Sequence, residues 1–388
     1  MLSSLGQRRA GVALGALLLA AMASAPAAGR AAHASERPRD AASQPSAVRP
    51  ASARSGTDGA GSAQEASPGV PVFEFHSGFW INLHHFLYQQ ARLRRGTGIR
   101  SGQGEAPGRA PGAAQVSTEG LTPAERQGWT AALDYYAGEL ADRDLLFNGD
   151  MVLIKNRLAG LEACAELSGQ KSRECASGLR PGLIAALEGA APVYRARWWP
   201  EHDRANRSWV ASAGPLVRRF GAGLAQQLAA TYRADWPAGR LRVDVVIYGG
   251  PFGAYTTLDP VHLTISSSDL RNQGSATLEV LFHEASHTLA GALRDTIVRE
   301  CRARGKPIPR DLWHALLFYT TGEMVKRALS AAEGSAGSAG NYTPYAYRYG
   351  LYARGWSHYQ RGLERYWQPY LDGKGEFDLA VARLVANL

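Results

Sequence analysis

The sequence predicts a mainly helical fold with one small β-sheet, an α+β class, and three observations predict it. Apolar residues recur at three- and four-residue spacing through most of the chain after about residue 70, as in amphipathic helices. That period gives way to alternation of β-branched residues at two places, 241–248 and 261–266. Stretches of Ala, Ser, Gly and Pro separate these segments. With 388 residues, 45% of them hydrophobic, the chain can bury a substantial core.

The first residues read as an address. Arg8 and Arg9 precede an apolar run over 12–23 and then small residues such as Ala25 and Ala28, the pattern of a secretory signal peptide over 1–28. Residues 29–69 hold almost no large apolar side chain and read as a disordered linker, which leaves 70–388 as the folded body. No later run approaches the ~20 apolar residues that span a bilayer. The expected location is secreted or periplasmic, with no stable transmembrane segment after leader cleavage. The net charge of +9 comes without a basic run interleaved with aromatics, so nucleic acid is not an expected partner. In an oxidising compartment Cys164 and Cys175 can staple a turn between helices, leaving Cys301 as a buried thiol.

Along the body, 73–95 begins extended and turns helical. Its His76, His84 and His85 read as packing and hydrogen-bonding residues, because adjacent helical positions do not face one way. Residues 96–120 form a flexible insert. Thr122, Pro123 and Glu125 then offer a helix start with a capping box, and helices are expected from there toward Phe147, over 151–167, over 179–188 and over 215–236. Residues 193–209 interleave tryptophans with His, Asp, Asn and Arg and read as a loop that either lines a groove or is tied down by buried hydrogen bonds. The two strands follow, joined by a Gly-rich turn over 249–257, and Val261–Ser266 is the candidate edge for pairing with an extended substrate.

The chemistry centres on His283-Glu284-Ala285-Ser286-His287, an HExxH stretch inside a helical pattern over 278–293. Residues four apart stand above one another on a helix, so His283 and His287 can offer two imidazoles to one ion. Glu284 beside them suits a carboxylate that deprotonates a metal-bound water and later protonates a leaving group. Three specified positions also arise by chance on polar helix faces. Here the surroundings are apolar, and such groups are expensive to bury without partners. Glu279, one turn before His283, either orients a histidine or caps the wet end of the stripe. Gly291, one turn after His287, marks either a close approach or a helix exit.

A catalytic zinc usually takes three protein ligands and leaves one position for water. Glu323, in a helical stretch over 309–327, is the leading third candidate. His314 competes with it from the other side of the same helix, nine residues or about 900° of rotation away. Asp295 and Glu300 are remoter options. With an acidic residue on a later helix, His283, Glu284 and His287 resemble the gluzincins, the glutamate-type zinc metallopeptidases. The resemblance implies a secreted branch of that class with a zincin-like metallopeptidase fold, Zn2+ held by His283, His287 and Glu323, and a Tyr or His after the third ligand as donor to the developing oxyanion. Gly322 and Arg327 stand where that family often carries Asn and an acidic residue. The metzincin pattern is excluded, since Ala290 and Leu293 occupy its Gly and third His positions. Tyr345 and Tyr352 are the candidate donors among the tyrosines that follow.

The expected function is therefore zinc-dependent hydrolysis of peptide bonds in a peptide or protein substrate, with the metal-bound water activated by Glu284. Two alternatives stay open: a catalytically inactive extracellular binding or scaffold protein that keeps the peptidase shell, and a zinc amidase acting on cell-wall peptides.

Overall fold

The computed structural model describes residues 72–96, 114–333 and 342–388, all within one compact unit, Pro68–Leu388. Residues 1–71, 97–113 and 334–341 lie outside the described residues, and with them the expected signal peptide and linker and most of the insert expected over 96–120. In chain order the unit runs β1 (Phe73–His76), α1 (Phe79–Arg94), α2 (Pro123–Glu139), α3 (Gly149–Ala159), α4 (Pro181–Arg197), α5 (Trp199–Tyr232), β2 (Leu241–Val246), β3 (Ala254–Leu258), β4 (Val261–Ser266), α6 (Ala276–Ser286), α7 (Gly291–Ala303), α8 (Leu312–Glu333), α9 (Tyr345–Arg348), α10 (Ser357–Gly362), α11 (Gln368–Leu371) and α12 (Phe377–Ala386). This is a mainly helical molecule with one small four-stranded sheet, in a zincin-like arrangement around the HExxH helix.

The sheet order is β1-β2-β4-β3. β1, β2 and β4 run parallel, while β3 returns antiparallel to β4 through the Asp259–Pro260 turn. Val261–Ser266 is thus an interior strand, and the free edge on that side belongs to β3, inside the stretch expected as a turn. The misreading has a local cause. Gly249, Gly250, Pro251 and Gly253 do form a turn, but the aromatic and β-branched Tyr255, Thr256 and Thr257 behind them favour an extended strand, and Leu258↔Val261 closes the hairpin.

Two cores flank the sheet. Val243, Val245, Leu263 and Ile265 pack with α5, α6, α8 and the C-terminal helices, whereas Val246, Tyr248 and Tyr255 pack with α1 to α4. Residues 193–209 belong to α4 and α5 and do not form a loop. Trp198 and Trp199 pack with Phe79, Phe86, Trp129 and Tyr194, and the Trp209 indole donates to the Asn272 carbonyl at 2.9 Å, so aromatic burial overrides the polar character of the stretch. The Thr122–Glu125 capping box forms as expected, but α2 ends at Glu139 and α3 at Ala159. Cys164 and Cys175 are joined in a disulfide with 5.6 Å between their Cα atoms, and Cys301 is a buried thiol. Among the described residues no helix is long and apolar enough to cross a membrane.

Candidate metal centre

α6 owes its position to its composition. Every residue from Ala276 to Ser286 is buried, and Phe282 anchors it to the first core through Phe73 at 5.2 Å and Trp236 at 5.8 Å between ring centroids. The helix does not continue to residue 293. It tightens into a 3₁₀ turn over His287–Leu289, and α7 restarts at Gly291. Nothing crowds the position of a Cβ on Gly291, so that glycine marks no close approach and stands instead at the start of α7. The break went unseen because Leu289 and Leu293, both fully buried, carry the apolar period through it.

The structure brings His283 and His287 together with His314 in the first turn of α8: one ring nitrogen from each lies within 4.8 Å of the other two. His283 Nε2 and His314 Nε2 are 3.2 Å apart. Two nitrogens bound tetrahedrally at about 2.0–2.1 Å from zinc would stand roughly 3.3 Å apart, so this spacing fits a shared ion. The other ring nitrogen, His283 Nδ1, is buried with no hydrogen-bond partner among the described residues. Phe318 stacks on His283 at 3.7 Å, Trp313 meets His287 edge-on at 5.6 Å, and Trp356 lies 5.7 Å from His314. Burial lowers all three imidazole pKa values, reinforced by the other rings for His283 and by Arg294 for His287. His287 falls to about 4 and His314 to about 3. Neutral imidazoles are the form that binds a metal.

Glu284 faces the same space, with Oε2 3.9 Å from His287 Nε2. The Thr256 hydroxyl, on edge strand β3, donates to Oε2 at 2.7 Å. Burial pushes the carboxyl pKa up to about 7, against the opposing pull of the Thr256 hydroxyl and of Lys155. A carboxylate so tuned is suited to take and return a proton near neutral pH.

The gluzincin assignment is corrected here: the third member of the cluster is His314, and Glu323 stands apart. Nine residues along α8 turn Glu323 to the side opposite His314, where it lies 3.5 Å from Lys326. Neither Asp295 nor Glu300 joins the cluster. Glu279 touches no histidine. Its carboxylate accepts from the Tyr342 hydroxyl at 2.7 Å and from the Tyr345 backbone N–H at 2.9 Å, tying the start of α9 to α6. Gly322 permits this approach, since a Cβ there would meet Pro344 Cβ at 2.7 Å and Glu279 Oε1 at 3.0 Å. Tyr345 stacks on Phe318 at 5.7 Å, so its ring stands in the aromatic wall of the site. Tyr352 is placed in the core against Tyr347, with its hydroxyl unpartnered among the described residues.

The sequence reading missed Thr256, which the strand pattern of 254–258 before an Asp-Pro turn marks as positioned. Trp313 and Phe318 were also missed, although their spacing around His314 at i−1 and i+4 on α8 carries part of the signal. Comparison with protein-family models, curated proteins and solved structures finds no match.

Proposed function

We propose that the chain is a zinc-dependent hydrolase of peptide bonds whose metal is held by His283, His287 and His314. The observation that carries this reading is the convergence of one ring nitrogen from each of three imidazoles beside a buried carboxylate. Three nitrogen donors with one open position are a donor set of catalytic zinc. When bound, zinc acidifies water and polarises a carbonyl. Glu284 takes a proton from the attacking water and passes it to the departing amine nitrogen, while Thr256 holds the carboxylate in place. Tyr345 is the proposed neutral donor to the oxyanion, and edge strand β3 aligns the extended substrate beside Glu284. The disulfide supports an oxidising, extracytoplasmic location, in keeping with the expected leader.

The test pairs metal analysis with the Glu284→Gln variant. The purified wild type should carry about one zinc per chain and cleave a peptide library. Glu284→Gln should keep the metal and lose hydrolysis by at least about 100-fold, the lower end of what a positioned general base supplies. Retained turnover in the variant refutes the role of Glu284, and a zinc-free wild type purified in excess zinc refutes the metal centre.

A further inference from the structure

A buried lysine lies behind β3, on the face of the strand away from Thr256. Lys155, on α3, is 1% exposed. Its Nζ donates to Thr257 Oγ1 at 2.6 Å, reaches the His262 carbonyl at 3.3 Å, and lies 4.9 Å from the centroid of the Tyr255 ring. The other charged or titratable groups around it are Asp244 and Arg242 on β2, the His262 ring on β4, His85 on α1 and Glu284 on α6. Asp244 does not pair with it directly, because its carboxylate is taken by Arg242 at 2.9 Å and by the His262 ring. Burial depresses the amine pKa to about 7. An apolar side chain of the same length would fill the space without that cost. What the amine adds is two hydrogen bonds, both to the β3–β4 hairpin.

Thr256 and Thr257 are neighbours on a strand, so their side chains leave on opposite faces. One hydroxyl holds the Glu284 carboxylate, and the other accepts from Lys155. β3 has only five residues and pairs with β4 alone, and on the face of Thr257 the Lys155 amine is the side chain that holds its hydroxyl. We propose that Lys155 is a positioning residue, fixing β3 from behind through Thr257 so that Thr256 presents its hydroxyl to Glu284. This rests on the reading of Glu284 as general base.

The test uses the full zinc-loaded chain. Lys155→Met should lower kcat roughly tenfold, the value of one hydrogen bond to a charged group, while zinc content stays at the wild-type level. Its unfolding temperature at pH 7 should be unchanged or higher, which a purely structural lysine would not show. Thr257→Val should give the same loss, the double variant no further loss, and Thr257→Ser should retain activity. Hydrogen exchange over Ala254–Leu258 should quicken about tenfold in Lys155→Met and in Thr257→Val, with α6 unaffected. Unchanged exchange on β3 in Lys155→Met, or losses in kcat that multiply in the double variant, overturns the proposal. Failure of the hydrolase reading looks different: the parent itself then binds zinc and cleaves nothing.

Discussion

Two groups of histidines stand on opposite sides of the sheet, one fully buried and the other buried at His283 and half-buried at His287 and His314, and their ring nitrogens are treated differently. On the α1 side, His84 Nδ1 meets the Tyr136 hydroxyl at 2.8 Å, and His85 uses both nitrogens, on the Ile81 carbonyl at 2.8 Å and the Tyr255 hydroxyl at 2.9 Å. On the α6 side, His283, His287 and His314 turn their nitrogens toward one another, and aromatic rings close around them. Burial lowers the pKa in both groups, so charge does not separate them. Partnership does. An imidazole whose nitrogens end on hydroxyls and carbonyls is a packing element, and three imidazoles that end on each other leave a position for a cation.

The largest effect expected from this difference is on metal affinity. His314→Ala should weaken zinc binding by more than about 100-fold, since even groups that merely orient a ligand are worth about 10–100-fold. His84→Ala should leave zinc binding unchanged. Competition with a chelator of known affinity measures both. In the wild type, saturation at about 1,000 times the dissociation constant should add roughly 4 kcal/mol to unfolding stability, and His314→Ala should lose that increment. Equal zinc affinity in the two variants would dissolve the distinction between the groups.

The next effect is a pH dependence, read on metal-free protein so that loss of the ion does not contribute. The pKa of His85 is lowered from 6.5 to about 4, chiefly by burial. The unfolded chain therefore binds a proton in the window between those values that the folded chain refuses. Stability conferred by neutral His85 is complete above pH 6.5 and is lost as pH falls toward 4. That difference in pKa corresponds to roughly 3 kcal/mol. His85→Gln, which can still donate to Tyr255, should flatten the acid limb of the stability profile by part of that amount. Denaturant unfolding at pH 7 and pH 4.5 checks it, and parallel profiles for parent and variant would remove His85 as the cause.

How much of this contrast was legible in sequence depends on whether one helix or several had to be known. His283, Glu284 and His287 sit on one helix, where periodicity alone sets their relation. The packing role of His84 and His85 followed from the same rule, because adjacent residues cannot face one target. The choice between His314 and Glu323 was only half decided. Rotation along α8 showed that they oppose each other, but which side meets α6 depends on the packing of Leu316, Leu317 and Val325 into the first core. β3 was hidden by its shortness and by the glycines before it, and with it Thr256. Lys155 went unread, because a lysine after Met151-Val152-Leu153-Ile154 on a helix carries no mark of its burial: Leu153 in the same run is exposed.

The smallest expected effect tests the α1 side alone. Tyr136 is fully buried, and its hydroxyl has the His84 ring as partner at 2.8 Å. Tyr136→Phe removes that hydroxyl and keeps the ring packing. His84 Nε2 already lacks a partner among the described residues, so the variant leaves this imidazole without its bond at Nδ1. The cost should be about 1 kcal/mol, the net value of a buried neutral hydrogen bond. For a folded unit of this size that lowers the unfolding temperature by about 2 °C. Zinc content and kcat should match the parent, because His84 and His85 lie outside the cluster of converging ring nitrogens. A Tyr136→Phe variant that loses zinc would show that the two histidine groups are coupled through β3, and the division drawn between them would fail.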